Sequence, residues 1–395
     1  MIKILHIVGD SKFGGGSKVV IQIAQMALVK GWKVDVLTTD PVFQEKLREN
    51  GIGIISLDCI WRPIRPFKDF FGWLRLFRFL KKSDYTLVHT HTSKAGFIGR
   101  AAAWYARIPV IIHTVHGFAF HEESSPFSLW FFSNLERIAS KWCHCLVTVS
   151  NFHRDWAIRL HIAEPEKIVA IPNGISEDDV KPRKPREETR RTLGIQNNHI
   201  MLLTMGRLAP QKGLEYLLEA LGKLKKEGSI EKIVAIIVGE GPLQKKLHQM
   251  ARELKIEDYV RFLGFRQDVG DLLAASDIVV LPSLWEGLSI ALLEAMAAGK
   301  PIITTNIGSN TEASSNGESA LLIPAKDSEK LSLAMKEFIE QEDNRSRFSK
   351  AAKQNYLDSY QINRTIRSYL HLYLSFLRKI KNKGLEYGGR IIEDS

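Results

Sequence analysis

Short apolar runs rich in β-branched residues alternate, through both halves of the chain, with longer stretches whose apolar positions recur every three or four residues. The first pattern predicts buried parallel strands and the second predicts helices that cover them. Before residue 180 the predicted strands are 2–8, 33–38, 86–89, 110–115, 145–149 and 168–171. The alternation restarts with 200–204, 232–238, 260–263, 278–281, 301–304 and 320–323. Between the two series lie the turn signal Pro172-Asn173-Gly174 and a charged stretch over 181–188, which place a domain boundary at about 178/179. The chain therefore predicts two doubly wound α/β domains, 1–178 and 179–364, and no solenoid repeat. Beyond residue 330 it is helical, with Ile366, Leu370, Tyr373, Leu374, Leu377 and Ile380 on one stripe, and a tail over 385–395 is expected to be poorly ordered.

A length of 395 residues suits two such domains, and 45% hydrophobic with 25% charged residues is an ordinary soluble composition. The net charge of +11 changes the picture, because it calls for an anionic partner. No nucleic-acid motif accompanies it, so nucleic acid is not expected. An anionic membrane surface, a nucleotide-sugar or a lipid diphosphate remains. Cys59, Cys143 and Cys145 are an odd number without metal-ligand spacing, which predicts buried thiols and a reducing cytoplasm. No secretory signal and no run of about 20 apolar residues is expected to insert in a bilayer.

Candidate chemistry gathers where predicted strands end. The segment from Pro282 to Pro301 reads as strand end, turn and helix over 288–298, with Glu286 in the turn and Glu294 in the helix. The first turn of such a helix, near Leu288, Ser289 and Ile290, offers unpaired backbone N–H groups to a phosphate. Arg207 and Lys212 share one Gly/Pro-shaped loop and offer a fork and a point charge to a diphosphate. Gly239 and Gly241 bracket a strand end where backbone can approach a base or ribose, and Gly14, Gly15 and Gly16 after the first strand let the backbone approach a ligand closely at a helix start. His116 lies on a strand-end loop before a glycine, whereas His113, His144 and His199 read as structural or surface residues and His121 carries little weight.

Together these segments resemble the signatures of the family 4 retaining glycosyltransferases: Ser283, Glu286, Gly287, Glu294, Ala295, Gly299 and Pro301; the Gly206–Arg207–Gln211–Lys212–Gly213 pattern; Gly239-Glu240-Gly241; His89 to Gly96; and His116-Gly117. The resemblance implies the GT-B fold, two Rossmann-like domains facing each other across a cleft, with a C-terminal helix over 365–384 joining the N-terminal, acceptor-side domain. It implies transfer of a sugar, with retained configuration, from a nucleoside diphosphate to a hydroxyl. Glu286 and His116 would contact the donor sugar, Glu294 the ribose, and Arg207 and Lys212 the diphosphate. Gly15 and Gly16 would face the donor phosphates, and the base would sit between Gly239-Gly241 and Gly264-Phe265. Asp-x-Asp does not occur, so no metal or other cofactor is expected. The alternatives are a UDP-N-acetylglucosamine 2-epimerase-like isomerase and a catalytically silent nucleotide-sugar-binding module.

One further stretch fits a lipid-linked acceptor in envelope or capsular polysaccharide assembly. Phe67, Phe70, Phe71, Trp73, Leu74, Leu76, Phe77 and Leu80 cover a wide arc of one helix, with Lys68, Arg75, Arg78, Lys81 and Lys82 on the remaining side. Either one face docks on a sheet, or the aromatic excess lies at an anionic membrane. The second predicts a peripheral protein on the inner face of the cell membrane.

Overall fold

The computed structural model describes residues 1–10, 14–61 and 63–382. Lys12 and Phe13 of the glycine-rich loop and the expected tail over 385–395 lie outside the described residues.

Seven strands, β1 (Lys3–Gly9), β2 (Lys33–Thr38), β3 (Gly53–Ile55), β4 (Leu87–His91), β5 (Val110–Val115), β6 (Cys145–Thr148) and β7 (Ile168–Ala170), form one parallel sheet in the order β3-β2-β1-β4-β5-β6-β7. Six more, β8 (Ile200–Met205), β9 (Ile233–Val238), β10 (Val260–Phe262), β11 (Ile278–Leu281), β12 (Ile302–Thr305) and β13 (Leu321–Ile323), form a second in the order β10-β9-β8-β11-β12-β13. In each, the winding reverses beside the first strand, at β1/β4 and at β8/β11. Such reversal points open a crevice at the carboxyl ends of the strands. The periodicity did not predict β3, whose three half-buried residues at a sheet edge are too few to show a pattern.

The chain divides into one compact unit of Met1–Asn173 with the chain from Asn363 onward, and a second of Gly174–Ile362. The division falls before the expected 178/179 for a local reason. A Cβ at Gly174 would run into the backbone of Gln361 and Ile362, and Ile175 forms a bridge with Gln361, so residues from 174 onward are tied to the second unit.

The strands are mostly apolar because helices cover both faces of each sheet. In the first unit Ile4, Val36, Val110 and Ile112 pack on one side, and Leu5, Ile7, Val88 and Ile111 on the other. The helix Ile362–Asn382 adds Tyr369, Tyr373 and Ile380 to the former layer, and Thr365 donates a hydrogen bond to the Pro172 carbonyl at 2.8 Å. All three cysteines are buried and free, and burial pushes the Cys59 and Cys145 thiols up to about 12. In the second unit Asp277 accepts from Arg186, Arg190 and the Met201 amide, which anchors the Arg186–Thr192 helix beside β8 and β11. Among the described residues no helix is long and apolar enough to cross a membrane.

Candidate active site

The β8/β11 reversal point of the second unit carries a polar constellation around Glu286. After β8 the loop from Gly206 to Gly213 runs under the turn that follows β11, and the Leu284 amide donates to the Gln211 carbonyl at 2.7 Å. Gly213 is left-handed (φ +58°), and a Cβ there would collide with the Pro282 carbonyl oxygen, so the two loops can meet only with glycine at this position. This contact delivers Lys212 to Glu286. The lysine ammonium pairs with Oε1 of the carboxylate, Ser283 Oγ donates to the same oxygen at 2.8 Å, and Gln211 Nε2 donates to Oε2 at 3.1 Å. Ser309 Oγ donates to the Glu286 carbonyl at 3.0 Å. The carboxylate is thus oriented from both oxygens.

A narrow crevice opens beside this pair, lined by Met205, Gly206, Lys212, Val238, Pro282 and Ser283. Arg207 is exposed on the same loop. Gly239 and Gly241 serve backbone packing: a Cβ at Gly239 would meet the Gly206 carbonyl oxygen, and one at Gly241 that of Leu208. The Leu208 amide donates to the Glu240 carbonyl at 3.0 Å, and the Gly239 amide to that of Gly264 at 2.8 Å. Phe265, next in the chain, is exposed.

The helix after Glu286 spans Ile290–Ala297, starting two residues later and ending one residue earlier than its spacing predicts. Ser289 is its N-cap, accepting from the Leu292 amide at 3.4 Å, so Leu288 and Ser289 belong to the turn. Both are buried, as is Glu294 within the helix.

The β1/β4 reversal point of the first unit holds a group of histidines. His6 of β1 sits opposite His89 of β4, and His91 lies two residues on, so period two places all three on one sheet face. His6 Nδ1 lies 3.0 Å from His91 Nε2, and His91 Nδ1 lies 3.2 Å from His116 Nε2. His89 is engaged separately, by Tyr373 at 2.6 Å and Thr114 at 2.7 Å. Burial lowers every one of these imidazoles: His6 to about 3, His116 to about 4, and His89 and His91 well below the ordinary value. Potential ligand nitrogens of His6, His89 and His91 come within 4.8 Å of one another, but both nitrogens of His89 and His91 are spent on hydrogen bonds. Gly15 and Gly16 open the helix Gly15–Val29, and a Gly16 Cβ would lie 3.6 Å from His116 Nδ1. His113 bonds Thr90, and His144 accepts from the Ile111 amide at 2.9 Å.

Two family models match the chain: glycosyl transferases group 1 over residues 185–355, and Glycosyltransferase Family 4 over residues 13–179. The Escherichia coli UDP-Gal:alpha-D-GlcNAc-diphosphoundecaprenol alpha-1,3-galactosyltransferase is 31% identical over 328 residues, 82% of this chain and 85% of its own. The chain belongs to the family 4, group 1 glycosyltransferases. A Campylobacter jejuni N,N'-diacetylbacillosaminyl-diphospho-undecaprenol alpha-1,3-N-acetylgalactosaminyltransferase is 26% identical over 372 residues, 90% of this glycosyltransferase and 96% of itself. Anabaena HepE, solved in complex with UDP-glucose, is 24% identical with a TM-score of 0.82, covering 95% of this chain and all of its own. The fold is GT-B.

Two features of this glycosyltransferase were not singled out from its sequence. Gln211 and Ser283 stand inside recognised segments, but only the loop contact turns them toward Glu286. His91 could have been found from its spacing with His89, since a polar residue recurring at i and i+2 in a buried strand must find partners on its own face, but nothing in β1 marks His6. The aromatic helix, Pro66–Lys81, buries Gly72, Leu76 and Leu80 and leaves Phe67, Phe70 and Phe71 exposed beside Lys68. A second helix, Pro126–Ser140, exposes Phe127, Trp130 and Phe131. Both aromatic groups fall in the first two turns of helices that flank Ser93–Tyr105.

Proposed function

We propose that this glycosyltransferase moves a sugar, with retained configuration, from a nucleoside diphosphate to a hydroxyl of a lipid-linked saccharide. The observation that carries this reading is the Lys212–Glu286 pair, held from both carboxylate oxygens at the β8/β11 reversal point. An ammonium has three N–H groups, so pairing with Glu286 leaves Lys212 two donors for a phosphate. Arg207 and Lys212 neutralise charge that grows on the departing diphosphate, assisted by backbone N–H groups near Leu288, Ser289 and Ile290. Glu286 and His116 orient the transferred sugar and Glu294 holds the ribose. The base lies by Gly239, Gly241 and Phe265, and Gly15 and Gly16 approach the phosphates.

The bond from the anomeric carbon to the diphosphate breaks as the acceptor oxygen attacks from the same face, and the hydroxyl proton passes to the departing diphosphate oxygen. Protein cations serve in place of a metal ion. The E. coli relative's name specifies UDP-Gal and a diphosphoundecaprenol acceptor, which supports a UDP-sugar and a lipid diphosphate here. The exposed aromatic residues beside basic ones support a peripheral position on the cytoplasmic face of the membrane, in envelope or capsular polysaccharide assembly.

The test is nucleoside diphosphate release from a panel of donors, with and without membrane extract. Release that depends on extract is expected. Epimerised donor without acceptor would establish the isomerase, and binding without release the silent module; the family match favours neither.

A further inference from the structure

The imidazoles of His6, His91 and His116 form one unbranched chain of hydrogen bonds, His6 Nδ1 to His91 Nε2 and His91 Nδ1 to His116 Nε2. Each ring is neutral, because burial holds all three far below the ordinary histidine range. A neutral imidazole has one N–H and one lone pair, so the chain must run in one of two directions. If the protons point from His116 towards His6, then His6 Nε2 carries an N–H. That nitrogen is fully buried and has no partner among the described residues. If they point from His6 towards His116, His6 Nε2 keeps only a bare lone pair. An orphaned buried N–H is rarer, and costs more, than an under-satisfied acceptor. The second direction moves the unshared N–H to His116 Nδ1, which likewise has no partner among the described residues. His6 is 0% exposed, whereas His116 is part-exposed beside Gly16, so only at the His116 end can an oxygen from outside the fold meet that N–H, and this sets the direction.

We propose that His6 and His91 are positioning residues that hold His116 as its Nδ1–H tautomer, so that Nδ1 faces its ligand as a hydrogen-bond donor and not as a base. The oxygen it meets is one on the transferred sugar, which rests on the function proposed above. On this account His116 cannot take the acceptor proton at Nδ1, which leaves that task to the departing diphosphate. The direction is fixed at His6, the deepest member of the chain, through His91.

The protein labelled with 15N-histidine reports in long-range proton–nitrogen correlation spectra which ring nitrogen carries each proton, and His6→Asn, His91→Asn and His116→Asn assign the signals by deletion. Nδ1–H is expected for all three residues in the unsubstituted protein. An Nε2–H form of His116 there would overturn the proposal. His91→Leu removes the donor to His116 Nε2, whereas His91→Asn retains an amide near the position of Nδ1. His91→Leu is expected to return His116 towards the Nε2–H form that imidazole prefers in water. It should also lower kcat about tenfold, the loss of one hydrogen bond of ordinary strength, with little change in donor KM. His91→Asn should recover both the tautomer and most of the rate, and an unchanged His116 tautomer in His91→Leu would sink the relay. The spectra need no substrate, so the relay is tested apart from the sugar contact. An intact relay together with full kcat in His116→Phe would remove the contact and leave the relay standing.

Discussion

Lys212 and Glu286 form an ion pair across the β8/β11 reversal point, with side chains only 18% and 7% exposed. Such a pair is costly to break from one side, because the survivor stays buried and uncompensated. Lys212→Met should therefore destabilise the second unit by about 3–5 kcal/mol as well as lower kcat. Lys212→Met with Glu286→Gln should regain most of the stability in urea unfolding but none of the activity. A double variant as unstable as the single one would show that the pair is not what the fold depends on here.

Arg207 separates the catalytic from the structural effect, because it is exposed. Arg207→Gln should leave the unfolding midpoint in place and lower kcat more than it raises donor KM, by about 2–4 kcal/mol in transition-state stabilisation. A variant with raised KM and normal kcat would mean that Arg207 contributes binding alone.

Glu286→Gln keeps the shape and one hydrogen-bond acceptor while removing the charge. It should retain nucleotide affinity and lose much of the transfer rate, and intact-protein mass spectra of the unsubstituted enzyme with donor should show no glycosyl adduct. A sugar trapped on Glu286 would establish a double displacement instead.

The buried histidines give the first unit a definite response to acid. His6 and His116 have folded-state values of about 3 and about 4, below the ordinary 6.5. Between those values and 6.5 the unfolded chain binds protons that the folded one refuses, so stability rises with pH. It is complete above about pH 6.5 and is lost progressively as pH falls towards 4 and 3. Urea midpoints measured along that range should fall with acid, and less steeply in His116→Asn. Parallel curves for the two proteins would remove His116 from the account.

Flotation with anionic vesicles should recover the protein with the lipid and release it as salt rises. Replacing Phe67, Phe70 and Phe71 with Ser should reduce recovery without unfolding, because Gly72, Leu76 and Leu80 make the packed face. Equal recovery in the soluble fraction under all conditions would end the membrane reading.

The sequence by itself determined the elements and the fold. Strands buried on both faces are mostly apolar runs, and each helix must carry a stripe to cover them, so twelve of the thirteen strands among the described residues could be read from local pattern, β3 being too short to show one. It also marked Arg207, Lys212, Glu286 and His116, because glycine-bounded loops at strand ends are where side chains can face a ligand. What only the tertiary structure decided is which of these side chains meet. Lys212 and Glu286 are far apart in the chain, and their pairing rests on Gly213 lying against the Pro282 carbonyl. The exposed aromatic group on Pro66–Lys81 emerged in the same way, since the helix has apolar residues to spare and packing alone chose Leu76 and Leu80 as the buried ones. His6 looked like one more position in a buried strand, and its role appeared only when β1 and β4 were set side by side. Local pattern records which residues must be covered. Contacts between strand ends depend on the order and register of the sheet, which no short stretch of sequence carries.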